Sequence, residues 1–326
     1  MKAFVMPSYG SPELGQLADI DQPKPAAGEV LVRVRATSIN PYDWHFLRGE
    51  PRFARLMPGM GMRRPQYDVL GCDMAGTVEA VGDGVTRFHP GDDVYALLPA
   101  GGFAEYVAVP EGLLATMPAN LSHEQAAAVP MAALTALTAL RDNGRIQPGQ
   151  QVLVNGASGG VGTFAVQLAR AFGADVVGVC SKRNVDLVRS LGAEAVDYTS
   201  EDFTRQDRRY DIVVDIAGRR SVVACRRVVA PKGTFVLVGG PAGRWLQPAG
   251  HAFGSMLVAP LVGVRASLTQ VSSQTVSQED LLALTEFIEA GQVTPVIDQT
   301  YPFDEIRTAL AYQEAGHARG KVVIAF

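Results

Sequence analysis

The chain opens with short runs in which apolar and polar side chains alternate, punctuated by glycine and proline, over residues 2–6, 29–37, 68–81, 93–97 and 103–109. A period of two is the signature of strands, and Gly or Pro between the runs marks turns. As far as Pro118 this texture predicts a compact, mostly antiparallel β domain. At Ser122 the pattern changes. The run Ser122, His123, Glu124, Gln125 sets a capping hydroxyl three positions before an amide that can reach back to it, which predicts a helix start and an alanine-rich helix to about Asp142. Strands at 151–155, 175–180, 195–198, 211–215 and 233–238 then alternate with helices at 161–172, 184–191 and 220–229. Such alternation predicts right-handed βαβ crossovers and a parallel, doubly wound sheet. Helices at 279–290 and 303–314 and a strand at 321–326 complete the reading, and no repeat is seen that would suggest a solenoid.

The most informative segment joins the first strand of the alternating region to its helix, Val152-Leu-Val-Asn-Gly-Ala-Ser-Gly-Gly-Val-Gly162. Gly159 lets a pyrophosphate approach the backbone, Gly162 lets the helix pack closely on the strand, and the helix N-terminus offers unpaired N–H groups to phosphate. Ala157 stands where the first glycine of the dinucleotide fingerprint would be, so the flanking strand, helix and second strand carry the assignment. The cofactor type is read at the end of the second strand, where an acid would accept hydrogen bonds from a free ribose 2'-hydroxyl. Cys180 occupies that place and Ser181, Lys182 and Arg183 follow. A hydroxyl and two cations suit a 2'-phosphate, so NADPH is expected, with a merely solvated helix approach as the alternative for Lys182 and Arg183.

Composition narrows the class. The 326 residues are 47% hydrophobic and 19% charged with a net charge of -4, the balance of a globular enzyme without the basic field that nucleic acid would need. Cys72, Cys180 and Cys225 lie too far apart for a disulfide framework or a CxxC motif, which favours a reducing, cytoplasmic setting. The first nine residues read as a strand rather than a signal peptide. The apolar stretch 256–264 contains Pro260 and is followed by Arg265, so no membrane span is expected. His45, His89, His123, His251 and His317 show no paired spacing that would suggest a histidine-driven mechanism.

With the β-rich beginning, Gly156-Ala-Ser-Gly-Gly-Val-Gly162 and the returning C-terminus in this order, the chain resembles the medium-chain dehydrogenase/reductase superfamily over essentially its whole length. Supporting segments are Gly71-Cys-Asp-Met-Ala-Gly-Thr-Val-Glu-Ala-Val-Gly82, Gly91-Asp-Asp-Val, Gly102-Phe-Ala-Glu-Tyr106 and Gly320-Lys-Val-Val-Ile324; Ile39-Asn-Pro-Tyr-Asp43 resembles the signature of the zinc-less quinone oxidoreductases. The resemblance implies an α/β protein with a GroES-like catalytic domain at 1–120 and 256–326 and a Rossmann NADP-binding domain at 121–255. It also implies a homodimer formed through an edge strand, for which the apolar run 261–268 is the candidate.

Zinc-dependent members of the superfamily hold their metal with a Cys where this chain has Asn40, a His where it has Cys72, and a Cys near Ala132. All three are missing, as is the four-cysteine structural lobe, so no metal is expected. Residue by residue, the resemblance places Ser158, Gly159, Gly160 and Val161 at the pyrophosphate and Ser181, Lys182, Arg183 and Tyr198 around the 2'-phosphate. It puts Thr135 and Asn40 on the nicotinamide side and Gly239 and Gly240 at the cofactor's far end. Lys321 is a further candidate, with a solvated lysine as its alternative; Tyr198 has a core aromatic as its own. Without a Lewis acid, the chemistry left is hydride delivery from NADPH to a quinone or an α,β-unsaturated carbonyl, with Asn40 and Tyr42 as donors to the developing oxyanion. Asp43 is expected to fix a loop, and Arg244, Trp245 and Leu246 to line the substrate pocket. A 2-enoyl-thioester reductase and a nucleotide-binding protein with little catalysis are the alternatives.

Overall fold

The computed structural model describes residues 1–56, 60–240, 247 and 249–326, so Arg244, Trp245 and Leu246 lie outside the described residues. In chain order the strands and helices are β1 (Lys2–Val5), β2 (Gln16–Asp19), β3 (Glu29–Ile39), α1 (Pro41–Arg48), β4 (Asp73–Val81), β5 (Asp93–Leu97), β6 (Tyr106–Pro110), β7 (Leu114–Thr116), α2 (His123–Ala127) and α3 (Pro130–Leu137). There follow β8 (Gln151–Asn155), α4 (Gly160–Ala171), β9 (Asp175–Cys180), α5 (Val185–Ser190), β10 (Glu194–Asp197), β11 (Tyr210–Asp215), α6 (Val222–Cys225), β12 (Val229–Leu237), α7 (Ala249–Leu261) and β13 (Arg265–Leu268). The chain ends with α8 (Gln278–Glu289), β14 (Ile297–Pro302), α9 (Ile306–Glu314) and β15 (Lys321–Ala325).

Two compact units divide the chain. The first comprises Met1–Leu134, Val271–Glu289 and Pro295–Phe326. Its main sheet runs β14-β15-β3-β4-β5-β7, with β6 also paired to β3, and every pairing except β14 with β15 is antiparallel. The long strand β3 is its spine. From Ala36 to Ile39 that strand is buried at every position, so both faces are covered and its polar side chains Thr37 and Ser38 must find partners inside the protein. One apolar cluster of this unit gathers Phe4, Leu47, Phe103, Ile306 and Ile324, and another gathers Val32, Met74, Val94 and Leu114.

The second unit comprises Thr135–Gln270 and Ala290–Thr294. Its six parallel strands follow the order β10-β9-β8-β11-β12-β13, which is the doubly wound arrangement with its switch point between β8 and β11. Leu153, Val177, Val213, Tyr210 and Phe235 form the centre of its core. The units divide at 134/135 and 270/271, against the expected 120 and 255. Two packing facts move these limits: α2 lies on β3, β4 and β15, and β13 completes the parallel sheet.

Several elements differ from the pattern reading for local reasons. The strand expected from residue 68 starts at Asp73, because the chain turns at Gly71 with φ +95°, where an added Cβ would sit 2.6 Å from the Phe103 ring. The helix expected to run from 122 to 142 breaks at Pro130, which has no N–H to give the preceding turn, and ends in a π-helical segment, Thr138–Gly144. The helix expected over 220–229 shrinks to four residues as Val229 enters β12. Only Arg265–Leu268 of the expected edge run is strand, Leu261 being the end of α7. Among the described residues no helix is long and apolar enough to cross a membrane.

Candidate cofactor site and active site

The glycine loop leaves β8 at Asn155 and turns at Gly156, whose φ of +96° suits a residue without Cβ. The N–H groups of Gly156 and Ala157 both donate to Val179 O at 3.1 Å, pinning the loop to β9. Helix α4 then starts at Gly160, with Gly159 at its cap and no side-chain cap accepting from its leading N–H groups among the described residues, so those groups and the positive end are open to an anion. The two key glycines separate by function. A Cβ on Gly162 would lie 2.0 Å from Gly156 O, so Gly162 permits the helix to pack; the nearest atom to a Cβ on Gly159 is 3.7 Å away, so Gly159 leaves room for a ligand.

Around that loop the parallel strands present polar groups at their carboxyl ends. Asn184 is buried and its Nδ2 donates to Ser158 Oγ at 2.8 Å, while its Oδ1 has no partner among the described residues. Asp215, at the end of β11, accepts from Asn155 Nδ2 at 2.7 Å and from Gly218 N at 3.0 Å through Oδ1. Its Oδ2 is buried without a partner, and burial pushes the carboxyl above its ordinary value while the hydrogen bonds pull it back. Gly239, after β12, lies against Ile216 so closely that a Cβ would meet Ile216 O at 2.2 Å. Gly160 and Val161 form the first turn of α4, and Gly240 follows Gly239. An open helix end, an open glycine face and orphaned buried acceptors fit the residues of this unit to a dinucleotide.

At the end of β9, Cys180 is buried, and burial pushes its thiol up to about 11. Ser181 precedes the short turn Lys182–Asn184, in which the Lys182 and Arg183 side chains are exposed. Tyr198 is 54% exposed and its N–H donates to Cys180 O at 3.0 Å, which rules out the core-aromatic alternative. Reading along β9 alone missed Asp197, which β10 sets in register beside Cys180. Its Oδ1 accepts from Thr199 N at 2.9 Å and Thr199 Oγ1 at 2.7 Å, bonds that hold this carboxylate below its usual range. Asn184 was missed as well; the signal available was a polar residue at the end of Ser-Lys-Arg-Asn. Thr135 opens the second unit as a half-buried residue of α3.

In the first unit, Asn40 lies between β3 and α1, Cys72 precedes β4, Asp73 begins β4, Met131 lies in the first turn of α3 and Lys321 opens β15. These elements bring Asn40 and Cys72, two of the three positions that the resemblance assigns to metal in zinc-dependent members, into one buried cluster with Asp73 and Lys321. Asp73 is 0% exposed and takes four donors: Ser38 Oγ at 2.5 Å, Asn40 Nδ2 at 2.8 Å, Lys321 Nζ at 3.1 Å and Met131 N at 2.7 Å. Lys321, 3% exposed, also donates to Asn40 Oδ1. Asn40 gives its remaining amide hydrogen to Cys72 Sγ at 3.4 Å. Its amide is therefore fully committed, which leaves no donor for a substrate oxyanion and corrects the role expected for it. Lys321 is likewise no solvated lysine.

Next to the cluster, Asp43 accepts from Asn40 N at 2.7 Å and so holds the first turn of α1. Burial, set against that hydrogen bond, raises its carboxyl to about 7. Tyr42 packs its ring on Phe46, with centroids 4.3 Å apart, and its hydroxyl has no hydrogen-bond partner among the described residues. Burial, with Cys72, Asp43 and Tyr67 nearby, raises the Tyr42 hydroxyl well above its ordinary value, so it stays a donor. Trp44 stacks on His45, with ring centroids 3.8 Å apart.

Residues 26–119 match the family model of the alcohol dehydrogenase GroES-like domain, and residues 191–324 match that of zinc-binding dehydrogenases. The mouse (Mus musculus) mitochondrial NAD(P)H oxidoreductase RTN4IP1 is 34% identical over 99% of this chain and 89% of its own length. The 2-methylene-furan-3-one reductase of Solanum lycopersicum is 34% identical over 99% of this chain and 79% of its own. Among solved structures, the quinone oxidoreductase from Coxiella burnetii superposes with a TM-score of 0.86 at 29% identity, covering 100% of this chain and 99% of that one. The chain is a medium-chain dehydrogenase/reductase of the zinc-independent, quinone-oxidoreductase-like type.

Zinc-binding members of the family invite a test of this oxidoreductase's own donor set. The cluster offers an amide whose atoms are already bonded, a thiol that burial raises well above its usual range, a carboxylate with four donors, and an ammonium 3.1 Å from that carboxylate. Zinc needs deprotonated thiolate, neutral imidazole or a free carboxylate in a tetrahedral set, and a fixed cation beside the Asp73 carboxylate opposes it. These residues do not fit a metal. Among the described residues no group of three or more His, Cys, Asp or Glu side chains is arranged for one.

Proposed function

We propose that this oxidoreductase uses NADPH to reduce an α,β-unsaturated carbonyl or a quinone, with Tyr42 as the donor to the developing oxyanion. The observation that carries this reading is the Tyr42 hydroxyl, without a hydrogen-bond partner among the described residues, beside a cluster whose other polar groups are committed to one another. The names of the tomato reductase and the Coxiella enzyme support the substrate class. When bound, NADPH supplies the hydride. The chain's residues do the rest: the open end of α4 and Ser158 hold the pyrophosphate, Ser181, Lys182, Arg183 and Tyr198 hold the 2'-phosphate, and Tyr42 steadies negative charge on oxygen until solvent protonates the product. Since the Tyr42 hydroxyl is held protonated, it acts by hydrogen bonding and keeps its proton.

We infer a homodimer as well. Strand β13 closes one edge of the parallel sheet, and α7 carries Phe253, Leu257 and Leu261 at 66%, 75% and 84% exposure, four residues apart on one face. An edge strand with no further partner among the described residues and an apolar stripe on the preceding helix are what a second copy would cover. The three free, buried cysteines support a reducing, cytoplasmic home.

Three outcomes are expected. Steady-state assays with NADPH and a simple enone should show turnover, and Tyr42→Phe should lower kcat by about a hundredfold; an unchanged kcat would remove Tyr42 from the mechanism. In fluorescence titrations NADPH should bind about tenfold or more tighter than NADH, each charge-assisted phosphate contact adding on the order of 1 to 3 kcal/mol. Replacing Lys182 and Arg183 by Ala should erase that margin through NADPH alone, while equal affinities in the parent would defeat the reading of the β9 end. Light scattering at micromolar concentration should give the mass of two chains, and a monomer would count against the dimer.

A further inference from the structure

Lys321 is a nearly buried charge that the reduction scheme leaves without a task. Its position suggests one. The ammonium donates to Asn40 Oδ1 and, at 3.1 Å, to Asp73 Oδ2. Asn40 is the residue before α1; its backbone N–H is held by Asp43 Oδ2 at 2.7 Å, and its amide hydrogens go to Asp73 and Cys72. Tyr42 lies in the chain between Asn40 and Asp43, so the two bonded residues bracket it.

An amide can present its oxygen or its nitrogen to a given neighbour, and the donor facing the oxygen decides which. With an ammonium on Oδ1, the Asn40 side chain has one arrangement that satisfies every group, and the turn that follows is fixed to β4 and β15. Without it, Oδ1 is left unpaired and the Asp73 charge loses its counter-ion inside the protein, so the turn is free to search for other partners.

We propose that Lys321 is a positioning residue for the reduction: its ammonium locks the Asn40–Asp43 turn against the sheet and thereby sets the direction of the Tyr42 hydroxyl. The inference rests on the reading of Tyr42 as oxyanion donor. It goes further in assigning the fixed cation to alignment of that donor. Direct contact with substrate is not part of its task, because the ammonium is 3% exposed and faces Asn40 and Asp73.

The test uses the full chain with NADPH and an enone, and four variants: Lys321→Met, Lys321→Met with Asp73→Asn, Tyr42→Phe, and Lys321→Met with Tyr42→Phe. Lys321→Met should lower kcat by about as much as Tyr42→Phe does and leave KM for NADPH unchanged. Together the two changes should cost no more than about threefold beyond either alone, because the second acts on a group already misdirected or missing. The neutral pair Lys321→Met/Asp73→Asn should recover the melting temperature that Lys321→Met loses, without recovering kcat. It also carries the measurement if Lys321→Met fails to fold. A purely structural role is indicated, and the proposal overturned, if the neutral pair recovers kcat together with melting temperature. Losses that multiply in the Lys321–Tyr42 pair overturn the proposal while leaving the Tyr42 reading intact. An unchanged kcat in Tyr42→Phe overturns the underlying reading, and the route from Lys321 with it.

Discussion

A lysine and an aspartate buried against each other, Lys321 and Asp73, constrain the whole of the first unit's reactive end. Taking either charge out of water alone is costly, and removing one partner of such a pair typically destabilises by about 3–5 kcal/mol. The pair is tolerable because Asp73 collects four donors from β3, α3 and β15, including Met131 N–H in the first turn of α3. Strand β3 must therefore end where it does, and β4 must begin beside it. Asn40 is held in one amide orientation as a consequence, and α1 starts from a fixed point.

The second unit solves a different problem with backbone rather than charge. The phosphate site proposed for it would use an uncapped helix end and two glycines, one needed for packing and one for access. Side chains enter only at the edges: Asn184 steadies Ser158, and the β9 end supplies Ser181, Lys182 and Arg183. The proposed cofactor selectivity thus rests on the exposed Lys182 and Arg183, with the half-buried Asp197 restrained by Thr199 nearby. That acid is the element which a reader of β9 alone would not weigh, because strand pairing places it there and sequence order does not.

Much of this was legible in the order of residues. The alternation of strands and helices, the Gly-Ala-Ser-Gly-Gly-Val-Gly loop and the Ser122–Gln125 cap each have local causes, and each is found where local chemistry puts it. What was not legible depends on distant partners. Helix α1 is short and mixed in polarity, and it is held by Asp43 on Asn40 N–H and by packing against α9. Strand β13 is recognisable only once β12 lies beside it. Lys321 and Asp73 are 248 residues apart, so no spacing rule could pair them, and the commitment of the Asn40 amide follows from that pairing. The sequence offers both Asn40 and Tyr42 as donors, Asn40 before Tyr42 because it stands at a former metal-ligand position; the bonds of the Asn40 amide to Asp73 and Cys72 reverse that order.

An internal ammonium, with an amide, a protonated thiol and a saturated carboxylate around it, sits beside Asn40 and Cys72, the positions that the resemblance assigns to zinc in zinc-dependent members, and leaves no place for the metal. Elemental analysis decides it most directly: the purified chain is incubated with equimolar zinc, dialysed exhaustively and measured for metal by mass spectrometry. The committed donors and the buried ammonium should keep zinc far below one ion per chain. One zinc retained per chain would contradict it.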